Sequence, residues 1–500
     1  MSSTHTTDVL IVGAGPCGLM LACELALAGV EPIVVDRLTA PTGQSRALGF
    51  TVGTIEILAM RGILDRFDGL VQQDAVHFAG LPISAEHLGS LHRPANQYPQ
   101  SRTEAVLAAR ATELGVSVRR GWELVGLEQS DELVTTRLVS DSGEEIELAA
   151  RYVVASDGGS SRIRGLVGAA QTITEPSVQM LLADVRGCGL PNEPFGVKKP
   201  RGMVMSAPLG DGTERLIVCE YGAGLLPQGV PVTMQHVSDA YERVTGRSLA
   251  GGRSVWASSF TDAGALADRY LHGRVVLLGD SAHTHLPAGG QGMNVGIQDA
   301  VNLGFKLAAV VQGRAGPELL QSYEDERRPV GVALLENTAA QGQLFLRGPE
   351  VDPLRSVLRD LIRLPDAARR LGRSVSGLDI RYACGPSDAP DLVGTRLDLG
   401  AIADEDRARA TEPLTRARAA LLVVGDGTVP VDLDDVVAAV EPLDVVAVHA
   451  APSRHLPRAV LVRPDGHVVW AEPQDLAELR RAANAWCGLV RTAHPQAVEV

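Results

Sequence analysis

An α/β fold is expected here: a parallel sheet assembled in instalments and interrupted by a mostly antiparallel β region. Three observations predict it. A buried-looking strand at Val9–Val12 runs into Gly13-x-Gly15-x-x-Gly18, an apolar strand at Tyr152–Ala155 stops just before Asp157-Gly158, and Val275–Leu278 leads into Gly279-Asp280. The chain has 500 residues, too many for one ordinary core, so two or three domains are expected.

The first instalment, "DVLIVGAGPCGLMLACELALAGVEPIVVDR", has strand, turn, helix and strand in order. Gly13 permits the tight turn, Gly15 lets backbone approach a pyrophosphate, and Gly18 lets helix and strand pack closely. The helix that follows offers unpaired N–H groups to phosphates. Leu19, Cys23 and Ala26 give it helical spacing, Gly29 ends it, and "PIVVD" is the second strand. Asp36 closes that strand and can accept hydrogen bonds from an adenosine ribose. It disfavours a ribose 2′-phosphate, so NADPH is not expected in this site. The pattern itself leaves NAD and FAD open.

A Gly- and Ser-containing loop then carries Arg46, and Ile57, Leu58 and Leu64 predict helix. Irregular turns are expected near Leu81 to Pro99. "SRTEAVLAARATELGVSVRRG" predicts a helix followed by a strand, and Leu133–Leu138 with Glu145–Leu148 a hairpin. The loop after Asp157-Gly158 holds Ser160, Ser161, Arg162 and Arg164. From Val178 to about Phe260, short runs of Val, Ile, Leu and Met alternate with Gly, Pro and Asp. That texture predicts an antiparallel sheet, a suitable wall for a large apolar ligand, with Tyr221 and Trp256 as candidate lining residues.

The sheet resumes with "GRVVLLGD". Asp280 lies just past a strand's carboxyl end, where open α/β sheets bind ligands. "PAGGQGMN", Pro287 to Asn294, can form a nest of backbone N–H groups opening a helix that buries Ile297, Val301 and Phe305. An Asp there suits polyol hydroxyls. NAD has no polyol that needs it, whereas FAD has a ribityl chain, and this moves the expectation to FAD.

Composition excludes other classes. The formal net charge of −14 and the lack of a basic cluster argue against nucleic acid. Lys198, Lys199 and Lys306 are the only lysines, so the positive charge is nearly all Arg. The six Cys have no CxxC and no metal-site spacing, so buried single thiols are expected and no metal is assigned. No membrane-length apolar run or signal-type amino terminus is visible, which leads us to expect a soluble, cytoplasmic protein. His283 and His285 are expected to orient their loop by hydrogen bonding, and no side chain is assigned a catalytic role.

The three ordered fingerprints together resemble the FAD-dependent aromatic hydroxylases, the single-component flavoprotein monooxygenases related to p-hydroxybenzoate hydroxylase. "SRALGFTVGTIEILAMRG", "PQSRTEAVL" and "YEDERRPV" resemble its bacterial angucycline and anthracycline hydroxylases and rifampicin monooxygenase. Many members have Cys before the second Asp-Gly, where this chain has Ser156. The resemblance implies a p-hydroxybenzoate hydroxylase-like FAD-binding fold with an inserted, mostly antiparallel β substrate domain and a thioredoxin-like C-terminal domain. The units expected are 1–175 and 271–375 for FAD, 176–270 for substrate, 376–394 as a surface-crossing linker, and 395–500 without a redox cysteine pair.

It also implies a cofactor-binding set: Gly13, Gly15, Pro16, Gly18, Asp36, Arg37, Arg46, Gln100, Asp157, Gly279, Asp280, Pro287, Gly290, Gly292, Met293 and Asn294. FAD is bound, with NADPH (or NADH) as transient electron donor using the surface near Asp157 and Arg162 to Arg164. The implied reaction is hydroxylation of a polycyclic aromatic polyketide by molecular oxygen through a flavin C4a-hydroperoxide, in antibiotic biosynthesis. A rifampicin-type inactivating monooxygenase and a flavin oxidase or dehydrogenase remain alternatives. Monomer and homodimer are both open, as are the exact substrate and the carbon attacked.

Overall fold

The computed structural model describes residues 5–227, 229–249, 251–425, 443–452 and 454–487. Its largest sheet has eight strands, with the central run Leu271–His272, Val275–Leu277, Glu145–Ala155, His5–Val12, Ile33–Asp36 and Ser117–Arg120. The last five of these run parallel. Val12 pairs with Ala155 and Ala155 with Leu277. Three motifs far apart in sequence therefore leave the sheet side by side at its carboxyl edge. The chain moves from His5–Val12 to one side through Ile33–Asp36 and reaches the other side at Glu145–Ala155, which makes this edge a topological switch point.

Glu145–Ala155 serves twice. Its first half pairs antiparallel with Val134–Ser140, closing the expected hairpin, and the same strand continues as the parallel neighbour of His5–Val12. Helix Pro16–Leu27 packs against Gln291–Val311, which is buried along its length except at Gly292. The stretch expected as irregular turns is ordered instead. Ala75–Phe78 and Leu81–Ser84 form a hairpin, and Ala95–Pro99 pairs with Leu48–Phe50. These ladders are too short for periodicity to reveal, and Pro82 and Pro99 disguise them further.

A five-stranded antiparallel sheet lies between Ala155 and Val275 in the chain. Its order is Glu193–Lys199, Gly202–Pro208, Thr213–Glu220, Gln179–Arg186, Arg253–Thr261. One face packs Ala183, Val185, Leu216 and Val218 against helix Met234–Thr245. The alternate residues face the other way, as the two-residue period of a strand requires.

The C-terminal part contains a four-stranded sheet, Asp444–Val448, Ala420–Val424, Ala459–Val462 and Val468–Ala471, with a parallel first pair. The segment before it, expected as a surface-crossing linker, is exposed at Asp379, Arg381 and residues 385–388 and anchored between them. Helix Pro365–Ser376 extends into it, and Tyr382, Cys384 and Val393 are buried. Its Gly and Pro content reports irregular backbone, while its apolar side chains join the C-terminal core.

Candidate active site

Helix Pro16–Leu27 starts at Gly15, which has no side chain with which to cap it. The first N–H groups of that helix are thus available to an anion. The three glycines of this turn differ in what surrounds them. Gly13 has φ +111°, and a Cβ on it would lie 2.1 Å from the Ser156 carbonyl oxygen. A Cβ on Gly18 would lie 2.0 Å from the Gly13 carbonyl oxygen. A Cβ on Gly15 would meet nothing within 4 Å. Side chains are thus excluded at Gly13 and Gly18 by protein, and Gly15 borders open space in front of the helix.

Asp36 sits at the neighbouring strand end. Its Oδ2 accepts from the Ala14 N–H at 2.7 Å and its Oδ1 from the Leu38 N–H at 2.8 Å. Arg37 is exposed beside it. Gln100 braces the Arg46 loop, its Oε1 accepting from the Ala47 N–H at 3.2 Å, while the exposed Arg46 contributes positive potential at Asp280.

Asp157 ties the second fingerprint to the third. Its Oδ1 accepts from the Ser281 hydroxyl at 2.9 Å, and its Oδ2 from the Arg162 N–H at 2.8 Å and the Ile163 N–H at 3.2 Å. Arg164 donates to the carbonyls of Ser281 and Gly159 at 3.1 and 2.8 Å. Of the two arginines on the surface expected to serve the nicotinamide donor, Arg162 is exposed and 3.1 Å from Glu123. Backbone carbonyls of the turn claim the other.

Asp280 follows Gly279, whose φ is +60°. The residue opens to the surface, yet its carboxyl is hemmed in by protein, and this desolvation raises its pKa against the pull of His283 and Arg46. Hydrogen bonds from hydroxyl groups would stabilise such a carboxylate without adding charge. A Cβ on Gly292 would lie 3.0 Å from His285 Nε2 and 4.0 Å from Asp280 Oδ1, which places the Pro287–Asn294 loop directly over Asp280. Gly290, left-handed at φ +65°, starts the long helix with no side-chain cap, so N–H groups of Gly292 and Met293 are again available.

Asn294 locks this loop. It accepts from the Thr51 N–H at 2.9 Å and donates to the Gly290 carbonyl at 2.8 Å. His285 Nδ1 lies 2.6 Å from the Leu286 carbonyl, and burial lowers the pKa of that imidazole to about 4. Cys17 lies between Gly279 and Gly296, and burial pushes its thiol well above the usual value, with Asp280 and Asp299 adding to the shift.

The loop also touches the five-stranded sheet. Leu286 and Ala288 join one apolar cluster with Met180, Met203, Met205, Tyr221 and Phe260. Asp184 and Trp256 share that face by strand register, so both aromatic residues expected to line it, Tyr221 and Trp256, belong to it. Arg215 also lies on this face, pairing with Asp184 at 2.8 Å beneath Trp256.

Residues 6–338 match the FAD-binding domain family, and residues 390–489 match the aromatic-ring hydroxylase C-terminal family. The chain belongs to the FAD-dependent aromatic-ring hydroxylases. It is 38% identical over 502 residues to the 12-dehydrotetracycline 5-monooxygenase/anhydrotetracycline 6-monooxygenase of Streptomyces rimosus, covering 96% of this chain and 99% of that protein. The rifampicin monooxygenase of Streptomyces venezuelae is 39% identical over 493 residues, covering 96% and 98%. The crystal structure of CabE, an aromatic hydroxylase from angucycline biosynthesis, is 42% identical and superimposes with a TM-score of 0.89, covering 97% and 100%.

This hydroxylase is therefore an FAD-dependent aromatic monooxygenase, and its switch-point residues fit that cofactor. Two uncapped helix N-termini face one edge, open space lies before Gly15, and Asp36 and Asp280 stand at separate strand ends. Among the described residues no helix is long and apolar enough to cross a membrane, and no group of three His, Cys, Asp or Glu side chains could hold a metal.

Sequence reading missed the polar groups behind the loop. His283 Nε2 lies 2.8 Å from Asp299, and Asp299 lies 2.6 Å from Arg327. A partial signal was present: Asp299, Asn302 and Lys306 recur at helical spacing, in a helix that also carries Gln291, Asn294 and Gln298.

Proposed function

We propose that this hydroxylase oxygenates a fused-ring phenol or quinone of polyketide origin in antibiotic biosynthesis, with an angucyclinone as leading substrate. The observation that carries this reading is the methionine-rich sheet face meeting Leu286 and Ala288. Met side chains adapt to large, polarisable rings, and two cations that strand register puts on this face, Arg215 and Lys198, are already paired with Asp184 and Asp352 at 2.8 and 2.9 Å. The relatives named for tetracycline, rifampicin and angucycline chemistry support the same class.

FAD, when bound, supplies the activation of oxygen. The protein binds and orients it. Gly13, Gly15, Pro16 and Gly18 take the pyrophosphate, and Asp36 and Arg37 the adenosine end. Asp280 with Gly279 takes the ribityl chain. Pro287, Gly290, Gly292, Met293 and Asn294, together with Arg46 and Gln100, would border the ring. The binding is non-covalent, so heat denaturation should release all yellow chromophore into the filtrate. Asp280→Ala should weaken FAD binding by about 1.5–3 kcal/mol, roughly ten- to 150-fold. Titration of apoprotein measures this, and unchanged affinity would mean the ribityl chain lies elsewhere.

NADPH serves as transient donor from the surface beside Asp157 and Arg162. Stopped-flow reduction with each nicotinamide tests the choice, and a preference for NADH overturns it. The C-terminal unit, from about residue 395, is thioredoxin-like but structural. Burial raises the Cys384 and Cys487 thiols to about 12, far from a thiolate-bearing redox pair.

An aerobic panel of an angucyclinone, an anthracyclinone, rifampicin and p-hydroxybenzoate tests the substrate class. NADPH consumption and isotopic oxygen in the product must agree. Coupled turnover of p-hydroxybenzoate alone refutes the polycyclic assignment. Coupled turnover of rifampicin moves the role to antibiotic inactivation, and oxidation without oxygen incorporation moves it to an oxidase.

A further inference from the structure

We infer that a buried chain of four side chains, Tyr382–Arg327–Asp299–His283, holds the Asp280 turn in place, making the segment that enters the C-terminal unit a positioning element for FAD. The inference rests on the reading of the Asp280 turn as the ribityl side of the flavin site.

The chain is continuous. Arg327 Nη1 donates to the Tyr382 hydroxyl at 2.9 Å, and Arg327 Nε donates to Asp299 Oδ1 at 2.6 Å. Asp299 Oδ2 lies 2.8 Å from His283 Nε2. Arg327 Nη2 also reaches the Val295 carbonyl at 3.3 Å, in the first turns of the helix that begins at the flavin loop. All four side chains are buried, and each belongs to a different part of the chain. His283 is in the short strand after Asp280, Asp299 in helix Gln291–Val311, Arg327 in helix Pro317–Phe345, and Tyr382 in the segment leading to the C-terminal sheet.

The energetics argue for orientation. A buried carboxylate is costly, and burial alone would raise Asp299, but Arg327 and His283 hold it below the usual carboxylate range. Apolar packing of similar volume would give equal or greater stability. Directional bonds instead fix the angle between the Asp280 turn and the helix that bears the loop. The Tyr382 hydroxyl fills the outer tine of the Arg327 fork, so the fork cannot swing away from Asp299. His283 is also electrostatically coupled to Asp280, so a displaced imidazole changes the carboxylate that meets the hydroxyls.

Tyr382→Phe is the mildest cut. Its ring still packs on His467, 4.4 Å away between centroids, and against Arg463. We expect the FAD dissociation constant of apoprotein, read by quenching of flavin fluorescence, to rise three- to tenfold. The visible circular dichroism of bound flavin should change, and the urea midpoint of apoprotein should barely move. Arg327→Lys retains a charge beside Asp299 but cannot fork to Tyr382 and Val295. It should weaken FAD at least as much as Tyr382→Phe. Ala483→Gly, which loosens a helix of the C-terminal unit at a buried position, is the control and should lower the midpoint without changing FAD affinity. Unchanged affinity and dichroism in Tyr382→Phe, with Asp280→Ala still weakened, would overturn the chain and leave the site reading intact. Unchanged affinity in both would bring down the site reading. An affinity loss matched by Ala483→Gly would reduce the effect to general loosening and overturn the inference.

Discussion

Arg463→Met will destabilise the chain by about 3–5 kcal/mol, the cost of breaking a buried ion cluster by removing one partner. Arg463 lies in the turn between the last two strands of the C-terminal sheet, fully buried. Its two Nη atoms meet the two Glu326 carboxylate oxygens at 2.7 Å, and its Nε reaches Asp465 at 2.8 Å. Lys306 completes the group 2.7 Å from Glu326. Two cations thus face two anions, and burial lowers His467 to about 4, so that neighbour adds no charge at neutral pH. Methionine would keep much of the volume and leave Glu326 and Asp465 sharing one lysine.

The pH dependence has a definite sign. Burial favours the neutral form of Glu326, but Arg463 and then Lys306 outweigh it and bring its pKa from 4.5 to about 2. Its contribution is therefore present in full above 4.5 and lost as pH falls towards 2. Without Arg463 the stranded carboxylates take up protons at higher pH. The gap between variant and wild type should be widest near neutrality and should narrow on acidification. Urea midpoints at several pH values, followed by Trp fluorescence, measure both effects. Trp486 lies 5.5 Å from the Arg463 guanidinium and reports locally. An unchanged midpoint would mean that Lys306 alone balances both acids.

This cluster marks the limit of what the sequence discloses. Gly13, Gly18, Asp36 and Asp280 were legible because each answers a local need, a turn, a close approach or a strand end, and locality survives in one dimension. Lys306 and Arg463 answer a need created by packing. "RPDG" has the Pro-Asp-Gly composition of a hairpin turn, and nothing local says that Pro464 and Asp465 are driven against the helices of the FAD-binding part. Yet the Pro464 carbonyl accepts from Arg61, itself paired with Glu24 on the first helix. The short ladders of residues 75–99 escaped for a related reason: strands of four or five residues form only because neighbours cover them. The candidate site was legible in its cofactor edge and not in its support, since Asp299, Arg327 and Tyr382 acquire their meaning from one another.

Two glycine substitutions should separate cofactor fit from fold integrity. Gly15→Ala places a methyl where no protein atom lies within 4 Å, at a backbone φ of −80° that alanine adopts freely. The apoprotein should keep its urea midpoint within about 0.5 kcal/mol, as for substitutions that make no clash. The methyl nevertheless enters the space before the helix N-terminus, where the proposed site has the pyrophosphate come against the backbone. We expect colourless protein on purification and an FAD affinity reduced at least about a hundredfold, near 2.7 kcal/mol. Gly18→Ala differs in kind. Its Cβ would lie 2.0 Å from the Gly13 carbonyl oxygen, which is backbone and cannot rotate away. The helix must move off the turn, and the moved helix carries its N–H donors with it. Stability and FAD retention should therefore fall together, with a midpoint loss of about 1–3 kcal/mol, as for overpacking. Calorimetry of apoprotein and FAD titration, run on both variants, distinguish the two. If Gly15→Ala bound FAD normally, the pyrophosphate would have to lie away from this turn. If Gly18→Ala kept both its stability and its flavin, the helix would not be held as closely to Gly13 as the structure has it.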